Sequence, residues 1–282
     1  MPAAAEIFRA LGALCEPPEP AHARLAAALG LPPPPDAAAF TEVFVFQLVP
    51  YAAPYLSPDG MLGGEAGDRV AGFWRALQLR PPAEPDHLAA LLGLYAALGE
   101  RENTQPGPAA VWREARRALL WEHLLTWVPI YTDAMAALPS PFHRAWARLL
   151  RQALLAETRA LAPPPAVPLH LRDVPALPDP GSRDFPRALL APVRSGLLIT
   201  RSDLANAASA TGLATRAGGR AFTLAALLEQ DHAATFGWLT QRAAWWAERH
   251  QAAVPSLERI AQHWLGRAQA SLHTLEQIPQ HA

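Results

Sequence analysis

Apolar residues recur at intervals of three and four over long alanine- and leucine-rich windows, and strand-like alternation is scarce, so the pattern predicts a mainly helical chain. Helices are expected near 3–14, 20–29, 37–48, 66–79, 87–99, 109–137 with a break, and 142–161. Prolines at 32–35, 54, 58, 81–82, 85, 106 and 108 mark where they stop or start. From Pro163 to Pro180 the run "PPPAVPLHLRDVPALPDP" has no helical period and is the expected boundary. Beyond it, helices are expected near 183–191, 201–211, 220–230, 233–250 and 256–277, with a short hairpin around Gly218-Gly219 as an alternative for 213–223. The expected division is a domain over 1–162, a proline-rich linker over 163–181 and a helical extension over 182–282.

The stretch "RRALLWEHLLTWVPIYTDAM", Arg116 to Met135, poses the sharpest question. Trp112, Arg116, Leu119, Leu120, His123, Trp127 and Tyr131 fall on one side of a helix by their spacing. Pro129 lacks an amide proton and must kink or end that helix. Such a stripe is ordinary core; the titratable Glu122-His123 pair just before the kink is what also suits a groove that accepts polar groups. In "EPDHLAALLGLYAAL", Asp86 follows a proline and precedes an apolar run, which predicts an N-cap, with His87 in the first turn or the two residues acting as a ligand-contacting pair. The glycines at 60, 63, 64 and 67 resemble a phosphate cradle only superficially, because no strand precedes them and no lysine follows.

Composition narrows the chemistry. All 24 basic residues are arginine, which excludes a phosphate-loop lysine, a Schiff-base lysine and a kinase-type lysine. One cysteine, Cys15, rules out an internal disulfide framework. No histidine pair has metal-ligand spacing and no nucleophile elbow occurs, so neither a metal, a cofactor nor an enzymatic activity is expected. The net charge of -1, with mixed signs along the chain, gives no field favouring nucleic acid or membrane. No apolar run reaches a membrane span, and Met1 to Leu14 lacks a signal-peptide pattern, so a cytoplasmic protein without stable membrane insertion is expected.

Three motifs in order, "FQLVPYAAPYLS" followed by "DGMLGGE", then "EPDHLAALLGLYAAL", then "EHLLTWVPIYTDAM...PFHRAWARLL", resemble the TorD/DmsD/NarJ family of chaperones for molybdenum oxidoreductases over roughly residues 3–160. Leu91 stands where that family usually has glutamate, and His143 where tyrosine is usual. The resemblance implies an all-α, TorD-like helical bundle with a helical C-terminal extension. It also implies a partner: the twin-arginine signal peptide or apo catalytic subunit of a molybdopterin oxidoreductase, held by a monomer or weak dimer until the cofactor is loaded. A receptor for two arginines and an apolar run needs an aromatic groove with carboxylates. Tyr55, Trp121, His123, Trp127 and Pro129 are candidates for its walls, Glu84, Asp86 and Glu122 for its charge, and His87 for a further contact. The competing readings are a helix-turn-helix regulator through residues 200–213, which begins with Arg201 but lacks a basic face, and a nucleotide-binding enzyme.

Overall fold

The computed structural model describes residues 2–216 and 218–278, with side chains from Ala5 onward. Every regular element among these residues is helical, so the all-α expectation holds. The chain forms two compact units, one of residues 1–53 and 62–165, the other of 54–61 and 166–282.

In the first unit, Leu88–Thr104 is the central helix. Leu88, Leu91, Leu92, Leu94, Tyr95 and Leu98 are all buried along it. Leu91 is fully enclosed, a site where an unpaired glutamate would cost several kcal/mol. Pro2–Ala13 packs closely on this helix: a Cβ on Gly12 would stand 3.2 Å from the Ala89 Cα. Trp146, on Pro141–Glu157, donates its indole N–H to the Leu11 carbonyl at 3.1 Å. Half-buried Arg116 joins Glu102 at 2.8 Å and Glu157 at 2.6 Å, and the Tyr95 hydroxyl donates to Glu157 at 2.7 Å.

Two segments widen into π-helical turns. Ala37–Phe40, capped by Asp36 accepting the Ala39 N–H, continues as Thr41–Gln47. Ala109–Ala118 continues as Leu119–Leu124, where the Leu125 N–H reaches back to the Leu120 carbonyl. The expected break at Pro129 follows: Trp127 leaves helical geometry (φ -139°), and Val128–Ala136 starts anew with the proline in its first turn.

In the second unit, Arg201–Thr211 and Arg220–Gln230 match the helices expected there. His232–Glu276 is broken at Glu258 (φ 42°), just after Pro255. Trp246, His250 and Trp264 stack along its core side, with ring centroids 5.5 and 6.0 Å apart. The Trp246 indole donates to the Leu198 carbonyl, and His250 Nε2 lies 2.8 Å from the Gly196 carbonyl. Gly196 (φ +74°) permits this corner, because a Cβ there would stand 2.4 Å from the Ala268 backbone nitrogen. Within the proline-rich run, Leu169–Arg172 is a short helix, Leu171 and Val174 are buried, and Arg267 and Arg194 donate to the carbonyls of Val174 and Ala176. The hairpin alternative for 213–223 is not what forms: its described residues hold no strand, and Gln230 instead binds both the N–H and the carbonyl of Ala214, while Ala217 lies outside the described residues.

Candidate functional site

The second and third prolines of "RPPAEPDH" pre-set an extended backbone opposite the helix Gly64–Ala76, and the two enclose a groove of about 630 Å³ within the first unit. Gly63 and Gly64 (φ +74° and +65°) form a rim without side chains, and exposed Leu62 adds an apolar lip. Helix Gly64–Ala76 ends through Gln78 in the left-handed region (φ 59°), with the Leu79 N–H on the Trp74 carbonyl, and this turn launches the opposite wall. Three carboxylates, Asp68, Glu84 and Asp86, and two guanidinium groups, Arg75 and Arg80, line the groove together with the Tyr51 ring.

The floor is held by non-local hydrogen bonds. The Ala52 N–H donates to the Asp86 carbonyl at 3.1 Å, the Ala53 N–H to Asp86 Oδ2 at 3.0 Å, and the Leu88 N–H to the Pro50 carbonyl at 2.7 Å. Asp86 therefore does not cap the helix as expected. The cap is His87, whose Nδ1 accepts the Ala89 N–H at 3.2 Å. Asp86 is claimed instead by a corner 33 residues away. Gly67 faces Asp86 Oδ1, and a Cβ there would touch it at 3.9 Å.

His87 Nδ1 also lies 3.2 Å from Glu16 Oε1. The two contacts ask for opposite protonation, since the cap uses the nitrogen lone pair and Glu16 needs a proton there. Burial lowers the His87 pKa against the charges of Glu16, Glu84 and Asp86, so the neutral, capping form holds at neutral pH. Tyr51 stacks edge-on to His87 at 4.7 Å. Its phenol is pushed up by burial and then by its hydrogen bond to Glu84, which keeps it a neutral donor.

The structure brings Glu84 and Asp86 together in this groove, with His87 behind Tyr51. It places the tryptophan stripe elsewhere. Trp121, His123 and Trp127 are buried: the Trp121 indole donates to the Leu161 carbonyl and the Trp127 indole to the His123 carbonyl, each at 2.8 Å. Pro129 is half-buried and its carbonyl accepts from Arg151. Glu122 alone of that cluster is exposed. His123 stacks on Phe73 at 4.8 Å, so it supports the groove helix from behind. Burial, reinforced by Arg69, pushes its pKa down to about 4 and leaves it uncharged near neutrality. Tyr55 is buried in the second unit and is not among the residues that line the groove. Tyr51, Asp68, Arg75 and Arg80 also line the groove and stand outside the residues expected from the sequence; the signal available was the pairing of two turn-rich stretches, Gly63-Gly64 and Pro81-Pro82, around one amphipathic helix.

Among the described residues no group of three or more metal-ligating side chains occurs, and no helix is long and apolar enough to cross a membrane. Residues 17–133, which include every residue lining the groove, match the family model for the nitrate reductase delta subunit. No curated protein and no solved structure matches the chain.

Proposed function

We propose, from the match of residues 17–133 to the nitrate reductase delta subunit, a family of molybdoenzyme maturation chaperones, that this protein is a chaperone that binds the twin-arginine signal peptide of an apo molybdopterin oxidoreductase in the cytoplasm. It keeps the client from export or assembly until the cofactor is loaded, and it performs no chemistry itself. The observation that carries this reading is the groove: it joins the glycine turn and the Glu84-Pro85-Asp86 stretch, two of the three family-like motifs, in one cleft.

A twin-arginine peptide offers two guanidinium forks followed by an apolar run. Carboxylates accept such forks in pairs of N–H···O bonds, and the exposed Glu84 and Asp68 stand on opposite walls. Asp86, with one oxygen committed to Ala53, positions the wall and adds negative charge. Arg75 and Arg80 orient acidic or carbonyl groups that flank the two arginines. The apolar run meets Leu62, Ala71 and the proline faces.

The test is a titration of the full chain with a twin-arginine signal peptide and its twin-lysine counterpart. The arginine peptide binds more tightly, because lysine cannot make the bidentate contact, and Glu84→Gln with Asp68→Asn removes most of that preference. Equal affinity for the two peptides, or an unchanged preference in the double variant, contradicts the reading.

A further inference from the structure

The second unit brings arginines from two helix starts together with arginines of the long helix His232–Glu276. Arg201 and Arg220 each occupy the first position of a helix, where a cation opposes the positive end of the helix dipole. The two starts are tied together, since Arg220 Nη1 donates to the Ile199 carbonyl at 2.7 Å, one residue before the Thr200 cap. Asp203 is already spent: Oδ1 takes Arg242 at 2.9 Å, and Oδ2 takes both the N–H and the hydroxyl of Thr200 at 2.8 Å. Arg242 and Arg249 lie over the half-buried Trp245 ring at 4.3 and 4.8 Å. Among the described residues, neither Arg220 nor Arg249 has a carboxylate at ion-pair distance, and Arg242 Nε is buried with no hydrogen-bond partner. Three guanidinium charges, at 220, 242 and 249, are thus set against one carboxylate.

A guanidinium stacked on an indole keeps its N–H edge in plane for a two-pronged contact with an oxyanion. We propose that this arginine row is a docking surface for an acidic peptide segment carrying at least two closely spaced carboxylates. Nucleic acid fits it less well. The helices Arg201–Thr211 and Arg220–Gln230 are joined by residues 212–219, longer than the three- to four-residue turn of a helix-turn-helix. The inference does not rest on the groove reading, which concerns the other unit and a partner of opposite charge.

The experiment uses the full chain and fluorescence anisotropy. Its probes are a labelled peptide rich in aspartate and glutamate, the same peptide with asparagine and glutamine, and a labelled DNA duplex, each at about 50 and about 200 mM salt. Arg249 is exposed, so Arg249→Gln is expected to fold as the parent does, checked by circular dichroism. Arg113→Gln, in the first unit, is the control. The acidic peptide binds, the neutral one does not, salt weakens binding, and Arg249→Gln lowers affinity about tenfold while Arg113→Gln leaves it unchanged. No binding of the acidic peptide, equal binding of both peptides, or parental affinity in Arg249→Gln overturns the proposal. Tighter binding of the duplex than of the peptide, with the same sensitivity to Arg249→Gln, overturns it too and assigns the row to nucleic acid.

Discussion

Replacing Trp127 with alanine separates a core helix from a binding surface. The side chain has no solvent exposure, its indole N–H is bonded to the His123 carbonyl at 2.8 Å, and its ring meets Tyr131 edge-on at 5.4 Å. Truncating a buried tryptophan costs about 3–5 kcal/mol through lost transfer energy and the cavity left behind. The orphaned carbonyl and the broken ring pair, about 1 kcal/mol apiece, put Trp127→Ala at the upper end, about 5 kcal/mol. Set against a total stability of about 5–15 kcal/mol, this removes roughly a third or more of what keeps the first unit folded. Trp127→Phe keeps the Tyr131 contact and should lose about 2 kcal/mol. Urea denaturation followed by circular dichroism gives both values, and peptide affinity is then measured in Trp127→Phe, where the folded fraction stays high. Unchanged affinity with the expected stability loss supports the core assignment. A variant that loses less than about 1 kcal/mol yet loses peptide binding refutes it.

Acid sensitivity follows from two enclosed imidazoles. Burial pushes His123 and His143 from 6.5 down to about 4, so the unfolded chain takes up their protons first. Their stabilisation is complete above pH 6.5 and is lost as pH falls towards 4, by about 3 kcal/mol for each, and His143→Phe, between Phe44 and Phe142, should lessen the fall of the urea midpoint over that range without abolishing it, because His123 and, in the second unit, His263 still titrate there. Peptide affinity should change little between pH 6.5 and 7.5, since His123 stays neutral there. Gly196→Ala should destabilise the second unit by at least about 2 kcal/mol, whereas Gly266→Ala, which meets nothing within 4 Å, should stabilise it by about 0.5–1 kcal/mol; thermal unfolding of the two variants reads the difference. A chain ending at Ala162 keeps Pro54–Met61 without the residues that segment packs with, including Ala191 beside Gly60, so buried Tyr55 and Leu56 become exposed and size-exclusion chromatography should show aggregation. A monodisperse fragment would contradict that.

Helix limits were legible wherever a local device sets them. Pro20 opens one helix, while Thr200 and Asp203 box the start of another that Gly212 closes in the left-handed region. The π-helical turns at 41–47 and 119–124 were not legible, because an apolar spacing of three and four fits either winding. Spacing also tells which residues share a face without telling what that face looks at. Trp121, His123 and Trp127 do lie together, but inside the unit. The capping role passed from Asp86 to its neighbour because of a bond to Ala53, and no local pattern encodes a contact of that span. Tyr51 and Tyr55 are four residues apart, yet one lines the groove and the other is buried in the second unit, a divergence decided by tertiary packing.

The most direct measurement is where a client peptide touches the protein. A twin-arginine signal peptide carrying a photoreactive phenylalanine analogue beside its arginines is irradiated with the full chain, and the adducts are located by mass spectrometry. Adducts confined to residues 62–86, abolished together by Glu84→Gln and Asp68→Asn, are the predicted result. Adducts centred on 119–131 or on 236–250, or adducts within 62–86 that persist in the double variant, would contradict the groove as the binding site.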